Sequence, residues 1–436
     1  MLLGLPLAGS QVAQLALHMI DTVMLGWYAV LPLAAGVLGG SSFFVVFFLG
    51  SGFGKAVVPL VAAARARGDE RQVRRVTRMG LWLSILFGLG SYPLFWWSHD
   101  LLLMLGQKPE VAELAGDYLR IAGLGMVLAL MTHVLRGTLS AMERTQIVMW
   151  ATIGALPINV LLNWLLIFGN LGFPELGVAG SAIATLVVQV FSLLVLMIYC
   201  QMGPGLRAYH FFQRFHVPDW PDFRAVFRLG MPMGLTSLAE GGMFQASAMM
   251  MGWIGPVALA SHGIALELAA LTFMLHIGLS SAVTVRTGAF YGSGNYAAMR
   301  MGALCAVMVA AIIVAATIFA FVVFPTELVS LFIATDEPAR PEILRLGSLL
   351  LICAALFQVA DSMQVLALGL LAGVQDTRVP MWLAAFSYWG IGVPASYLLA
   401  FVFGYGPVGL WLGLCLGLAF AALTMMSRFW MRLPKA

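Results

Sequence analysis

Four acidic side chains lie deep within long apolar stretches of this sequence: Asp21, Glu240, Glu267 and Asp361. A carboxylate near the centre of a hydrocarbon layer costs about 2.5–3.5 kcal/mol on the lower insertion scales, so it normally faces a cavity or binds a cation. Burial also disfavours the charged form, which lets a carboxyl group take up a proton near neutral pH. A carboxylate that exchanges a proton for a cation can couple an ion to transport. The alternative is a structural carboxyl group that bonds to backbone or to a neighbouring donor.

Amide side chains recur near these acids at spacings that place them on one helical face. They are Gln14, seven residues before Asp21; Asn159, four residues before Asn163; and Gln358 and Gln364, three residues on either side of Asp361. Such amides could bind an organic molecule, orient a carboxylate or bridge two helices.

Basic and imidazole groups also fall inside apolar stretches. Lys55 is the clear cation, and it could snorkel to the membrane interface or pair with a carboxylate. Four histidines could relay protons or could be hydrogen-bonded packing residues. They are His18, His133, His262 and His276.

The composition indicates the elements that must position these groups. Hydrophobic residues make up 61% of the 436 residues and charged residues 10%, whereas soluble domains carry about 25% charged residues. A membrane span needs roughly 20 apolar residues, and these stretches are too long and continuous for barrel strands. The chain is therefore predicted to be an all-α polytopic membrane protein with twelve spans. They are about 3–27, 33–64, 77–97, 114–138, 147–169, 176–200, 226–253, 257–290, 300–324, 343–373, 379–403 and 406–430.

Arginine and lysine positions predict the orientation, since cytoplasmic loops are enriched in both. The side of the membrane with more positive residues is predicted to contain Arg65, Arg67, Arg71, Arg74, Arg75, Arg78, Arg144, Arg207, Arg214, Arg224, Arg228, Arg286, Arg300, Arg378, Arg428, Arg432 and Lys435. The other side has Lys108, Arg340 and Arg345. Both termini are therefore predicted to be cytoplasmic. This bias accounts for the net charge of +4, so no nucleic-acid partner is expected.

The sequence nearly repeats itself. LGLPL at 3–7 returns as LGMPM at 229–233, and Gly26-Trp27 returns as Gly252-Trp253, in both cases 226 residues later. Later matches, such as Met149-Trp150 with Met381-Trp382, are 232 residues apart. Corresponding helices then cross in the same direction, which makes the repeat parallel. We expect two pseudo-symmetric six-helix lobes around a central cavity, at 1–200 and 225–436, with a cytoplasmic linker at 201–224.

Several classes of protein and site find no support in the sequence. The spans contain no H-E-x-x-H, G-x-S-x-G or paired aspartyl signature and the chain has no Walker A motif, so neither an enzyme nor an ATPase is expected. The four cysteines lack metal spacing and are interpreted as packing residues. No cleavable signal peptide is expected, because the first apolar stretch belongs to the repeat. A few residues missing before Met1 would fit the abrupt start at the membrane.

The motifs together resemble the MATE (multidrug and toxic compound extrusion) family, and its NorM-like branch in particular. The resemblance covers almost the whole chain. The resemblance rests on the following residues and motifs: Asp21-Thr22-Val23-Met24, Pro157-x-Asn159-x-x-x-Asn163-Trp164, 174-PELGVAG-180, Glu240, Ser261-His262, and Asp361-x-x-Gln364-Val365 followed by Gly369 and Gly373.

The resemblance implies cation-coupled export of organic, often cationic and amphipathic, compounds. It assigns Asp21 to proton or drug binding in the first lobe, and Glu240 and Asp361 to cation binding, including Na⁺, in the second. Phe357 departs from the family, which can have Tyr there, and this weakens an assignment to sodium. Glu267 stands where an uncharged polar residue is expected and could add a carboxylate to the second lobe.

The leading hypothesis is therefore an antiporter driven by Na⁺ or H⁺ through Glu240, Asp361, Asp21 and Glu267. Substrate contacts are predicted at Asp21, Gln14, Asn159, Asn163, Phe357, Gln364 and His262. No cofactor is expected beyond the transported ion. The predicted setting is the bacterial inner membrane, with lipid and small organic substrates as partners of a monomer. The alternative is a flippase for lipid or lipid-linked oligosaccharide, but it should need clustered cations, whereas the charges within the spans are mainly acidic.

Overall fold

The computed structural model describes residues 4–333 and 338–433. Within these ranges the chain is almost entirely helical and contains no β-strand. The first residue of the first predicted span and Lys435 lie outside the described ranges. The chain divides into two compact units, Met1–Leu235 and Thr236–Ala436. We call the described parts of these units the first lobe and the second lobe.

The first lobe contains seven complete helices and the beginning of an eighth. They are α1 (Gly4–Tyr28), α2 (Val30–Ala66), α3 (Glu70–Trp96), α4 (Ser98–Met104), α5 (Pro109–Ala141), α6 (Thr145–Phe168), α7 (Gly177–Met202) and α8 (Trp220–Ile254), with short 3₁₀ turns at Asn170–Gly172 and Arg207–Tyr209.

The second lobe repeats this order of long and short helices. After the end of α8 come α9 (Pro256–Ser293), α10 (Tyr296–Val323), α11 (Pro325–Ser330), α12 (Arg340–Gly373), α13 (Arg378–Ala385), α14 (Val393–Tyr397) and α15 (Gly406–Arg432). Two π-helical segments, Phe386–Gly392 and Leu398–Val402, join α13 and α14 into one continuous span.

Ten helices within the described residues are long and apolar enough to cross a membrane. The other two long helices, α1 and α8, have polar side chains within their apolar stretches, which include the candidate acids Asp21 and Glu240. Counting them as spans gives the predicted twelve. The chain is a multi-pass membrane protein.

The predicted loop at 65–78 is mostly helical. Only residues 67–69 separate α2 from α3. Gly68 adopts φ +72°, which turns the chain sharply, and the Asp69 side chain accepts a 2.9 Å hydrogen bond from the Gln72 backbone N–H. This N-cap satisfies one of the donors that a helix start leaves open. The helix therefore begins earlier than its apolar pattern predicts.

The second lobe uses the same device 226 residues later. Gly294 also has φ +72°, and Asn295 accepts a 3.0 Å hydrogen bond from the Ala298 N–H at the start of α10. The repeat extends to the turns before α6 and α13, where Glu143 has φ +59° and Gln375 has φ +61°. Sequence similarity between the halves thus reflects matched backbone geometry.

Small residues let neighbouring helices approach closely in each lobe. A Cβ atom on Gly180 of α7 would lie 2.4 Å from the Leu166 carbonyl oxygen of α6. A Cβ atom on Gly413 of α15 would lie 2.2 Å from the Ser396 backbone nitrogen of α14. Because neither backbone atom can yield easily, glycine is required at both contacts, as is usual where membrane helices touch.

Candidate functional site

The first-lobe site is built around Asp21 on α1. Asn159 and Asn163 of α6 donate hydrogen bonds of 2.9 and 2.6 Å from Nδ2 to Asp21 Oδ1. Thr185 of α7 donates a 3.1 Å bond from Oγ1 to Asp21 Oδ2. Three helices therefore converge on one carboxylate, and three donors favour its charged form.

Asn159 and Asn163 lie together because they are one helical turn apart on α6. Both are almost completely buried, at 1% and 0% exposure. Their Oδ1 atoms find no hydrogen-bond partner within the described chain. The site therefore combines a carboxylate with two buried carbonyl oxygens, which are acceptors suited to a proton donor or a hard cation.

Thr185 is the member of this site that sequence reasoning missed. A single threonine in a long apolar helix has no distinguishing pattern, and a hydroxyl often bonds within its own helix. The sequence predicted Gln14 on the Asp21 face of α1, but Gln14 is exposed and is not among the described hydrogen-bond partners of Asp21. Its predicted contact with substrate stays a prediction.

The second-lobe site is centred on Asp361 of α12, which is 1% exposed. Its Oδ1 atom has no hydrogen-bond partner within residues 4–333 and 338–433. Glu240 of α8 lies within electrostatic range of Asp361, and Tyr388 lies within range of both acids. Two negative charges in an apolar interior repel each other, so this arrangement favours binding of a proton or a cation.

Amides surround Asp361 on α12 as the sequence predicts. Gln358 donates from Nε2 to Thr272 Oγ1 of α9 at 2.5 Å and to the Ala269 carbonyl oxygen at 3.1 Å. Gln364 donates from Nε2 to the Tyr388 hydroxyl at 2.6 Å. The Oε1 atoms of both amides are buried and lack partners within the described residues. Sequence reasoning did not single out Thr272 or Tyr388.

Aromatic side chains form one wall of the second-lobe site. Phe357, 2% exposed, packs edge-on against Trp411 with ring centroids 5.5 Å apart and against Phe244 at 6.0 Å. His262 also packs edge-on against Trp411, at 5.6 Å, and its Nε2 lies 3.3 Å from Ser247 Oγ. His262 and Phe357 are thus packing residues in this conformation, and their contact with substrate stays a prediction.

Three further charged groups lie within the long helices. Glu267 is half-buried on α9 and makes no hydrogen bond or ion pair within the described chain. Lys55 is half-buried on α2. Arg136 is likewise half-buried on α5, so Lys55 is not the only cation inside a long apolar helix, contrary to the sequence interpretation.

No group of three or more His, Cys, Asp or Glu side chains that could hold a metal ion occurs among the described residues. A cation at either site would therefore be bound by one or two carboxylates together with neutral oxygen atoms. Amide and hydroxyl oxygens next to Asp21 and Asp361 could provide those ligands, and hard cations prefer oxygen.

Comparison with known proteins places this geometry in a family. The family model MatE matches residues 6–165 and 232–398, one segment in each half of the repeat. The chain belongs to the MATE family.

Full-length relatives agree with this assignment. This MATE protein is 42% identical over 427 residues to "Probable multidrug resistance protein NorM" of Rhizobium meliloti (strain 1021), covering 98% of this chain and 91% of the relative. It is 41% identical to the protein of the same description in Agrobacterium fabrum, covering 98% and 92%.

Solved structures share the fold of this MATE protein. An outward-facing multidrug resistance MATE family transporter of the MOP superfamily superposes with a TM-score of 0.89 at 22% identity, covering 99% of this chain and 94% of the other. The eukaryotic MATE transporter AtDTX14 gives a TM-score of 0.85 at 20% identity, covering 98% and 94%.

Proposed function

We propose that this MATE protein is an antiporter that exports organic, cationic or amphipathic compounds by alternating access, driven by inward movement of Na⁺ or H⁺. The names of its NorM relatives support multidrug export. The observation that carries the coupling is the buried Asp361 carboxyl group beside Glu240. Membership of a transporter family also favours a transporter over an enzyme.

The second lobe is proposed as the place where the coupling ion binds. Asp361 and Glu240 cannot both be charged and buried at low free-energy cost unless a positive charge accompanies them. A proton or Na⁺ provides that charge, and its departure restores the repulsion. Binding and release therefore change the relative free energies of the conformations, and a ligand shifts an equilibrium only through such a difference.

The first lobe is proposed to recognise the cationic part of the exported compound or a proton. Three hydrogen-bond donors converge on Asp21, and they favour its charged form. A fixed negative charge in an apolar setting attracts an organic cation. Proton binding at Asp21 would remove that charge and weaken the attraction.

The proposed setting is the bacterial inner membrane with both termini in the cytoplasm. The arginine-rich connections at 67–69 and 203–219, with the flanking helix ends, support this orientation. We further propose that the monomer is sufficient for transport, because each candidate site is completed within one lobe of one chain.

Transport by purified protein in proteoliposomes tests this proposal. A sodium gradient and a pH gradient are imposed separately, and efflux of a fluorescent organic cation is followed. We expect one gradient to drive efflux by the wild type and neither to drive efflux by Asp361→Asn. Glu113→Gln, which removes an exposed acid on α5, is the matched control and should transport normally. Gradient-driven efflux by Asp361→Asn at the wild-type rate would refute the coupling assignment.

A further inference from the structure

A cavity outside both acid sites lies where α7 meets the connection to α8. Its volume is about 320 Å³. The lining residues are Cys200, Gln201, Arg207, His210, Phe211, Phe212 and Gln213. Neither the proposed ion site nor the proposed substrate site uses any of them.

The connection that forms this cavity is held in place by contacts with α3. Trp82 donates from Nε1 to the Phe215 carbonyl oxygen at 2.8 Å, and the two rings stack with centroids 6.2 Å apart. The Arg78 guanidinium donates to the Arg214 carbonyl oxygen at 3.1 Å. Phe211, 2% exposed, is buried as part of the floor. These contacts hold the wall in a fixed position.

The cavity lining contains the Arg207 guanidinium and the His210 imidazole and no acidic group. Arg207 and His210 are both exposed, and their side chains make no hydrogen bond or ion pair with the rest of the described chain. The nearest acid along the connection, Asp219, is already paired with Arg75 at 3.1 Å. Arg207 and His210 are therefore available to an anion, and a guanidinium matches the geometry of a phosphate group.

An apolar row on α7 leads to the same cavity. Leu194, Ile198 and Met202 are exposed by 51%, 55% and 64%. Residues four apart are neighbours on one helical face, so the three side chains form a continuous strip. The strip ends beside Gln201 in the cavity lining. A ligand that fits both features has an anionic head and a hydrocarbon tail.

We propose that this cavity binds the headgroup of an acidic phospholipid from the leaflet that faces the arginine-rich ends of the helices. The phosphate lies against Arg207 and His210, and one acyl chain lies along Leu194, Ile198 and Met202. A free phosphate ion would contact Arg207 and His210 but would make no contact with the apolar strip. Basic pockets beside membrane helices are suited to such headgroups.

Lipid retention measured by native mass spectrometry tests the proposal. Protein purified in detergent is mixed with equal amounts of phosphatidylglycerol and phosphatidylcholine. We expect the wild type to retain phosphatidylglycerol preferentially and Arg207→Gln/His210→Gln to lose about fivefold of that preference, as expected for the loss of roughly one basic charge near an anionic lipid. Arg71→Gln removes an exposed arginine that is not among the cavity residues and should keep the preference.

The controls separate this site from general surface charge and from soluble phosphate. Equal preference in the wild type and the double variant would overturn the proposal, as would an equal loss in Arg71→Gln. Displacement of the lipid by inorganic phosphate alone would also overturn it, because the apolar strip would then contribute nothing. Ile198→Ser leaves Arg207 and His210 intact, and reduced retention in that variant supports the acyl-chain contact. An unchanged melting temperature in each variant shows that a loss of retention is not due to misfolding.

Discussion

The two lobes hold their candidate acids in opposite ways. Asp21 in the first lobe receives three hydrogen bonds from neighbouring helices. Asp361 in the second lobe has one carboxylate oxygen without a partner in the described chain and a second acid within electrostatic range. The first arrangement offers hydrogen-bond donors to the charged form of its acid, whereas in the second the two acids repel each other when both are charged. This difference is the basis for the proposal that the second lobe binds the coupling ion.

Repeat symmetry shows that the two sites are not copies of each other. Asp21 corresponds to Ser247, and Asn159 and Asn163 correspond to Ile391 and Ala395, so the second lobe has lost or never had this carboxylate site. Asp361 corresponds to Ala129 in the first lobe. The scaffold is shared, and each half carries its acid at a different place on it.

Among the substitutions that test the difference between the lobes, Asp361→Asn should have the largest effect on transport. The amide keeps the size of the side chain but cannot gain or lose the charge that is proposed to couple transport to an ion. We expect efflux driven by an ion gradient to fall to the background of empty liposomes, with membrane expression unchanged. Asp21→Asn should impair export of organic cations while leaving a measurable response to the ion. Identical transport defects in the two variants would contradict a division of roles.

Asn163→Leu should destabilise the first lobe through Asp21. Loss of a hydrogen bond to a charged group costs about 1.5–3 kcal/mol, since the half-buried carboxylate is left with one donor fewer. Thermal unfolding in detergent measures the loss. In an Asp21→Leu background the same substitution should cost much less, because the group that needed the donor is gone. Equal costs in both backgrounds would show that Asn163 acts by packing alone.

Tyr388→Phe should have a smaller effect on transport in the second lobe. It removes the acceptor of the Gln364 amide and leaves that donor buried, at a cost of about 1–3 kcal/mol of stability. Because Asp361 keeps its carboxyl group, ion-driven efflux should persist, with a changed apparent affinity for the ion. Complete loss of coupling, as in Asp361→Asn, would mean that Tyr388 takes part in ion binding.

Asp69→Ala and Asn295→Ala should have the smallest effects, and equal ones. Each removes an N-cap worth about 1 kcal/mol at the same position of the repeat. The melting temperature should fall by the same amount in both variants, with efflux unchanged. Clearly different falls in melting temperature would show that the two N-caps contribute differently to stability although their backbone geometry is the same.

The sequence predicted the architecture and singled out Asp21, Asn159 and Asn163, although it did not predict that the two amides bond to the carboxylate. Long apolar stretches determine the helices, and the four-residue spacing of Asn159 and Asn163 placed both amides on one face. It could not identify Thr185 as a partner of Asp21, because that contact joins α1 to α7 and depends on how the helices pack. The spacing of residues along one helix does not predict hydrogen bonds between different helices.

Two other features lay beyond sequence reasoning. The π-helical segments on either side of α14 were not predicted, because the apolar pattern that identifies a span does not distinguish a π-helix from an α-helix. The helices also begin earlier than predicted where Asp69 caps α3, because an apolar window does not register a capping residue. The burial of Phe357 behind Trp411 likewise depends on a contact between distant helices.

Glu143 and Gln375, whose backbones adopt the left-handed conformation, offer a way to engineer a more stable protein. At both positions an ordinary side chain occupies a backbone region where its Cβ atom is strained by about 1–2 kcal/mol. Glycine accepts this region freely, although it gives the unfolded chain more freedom. Gln375→Gly is therefore expected to raise the melting temperature, which helps a membrane protein survive extraction from its bilayer.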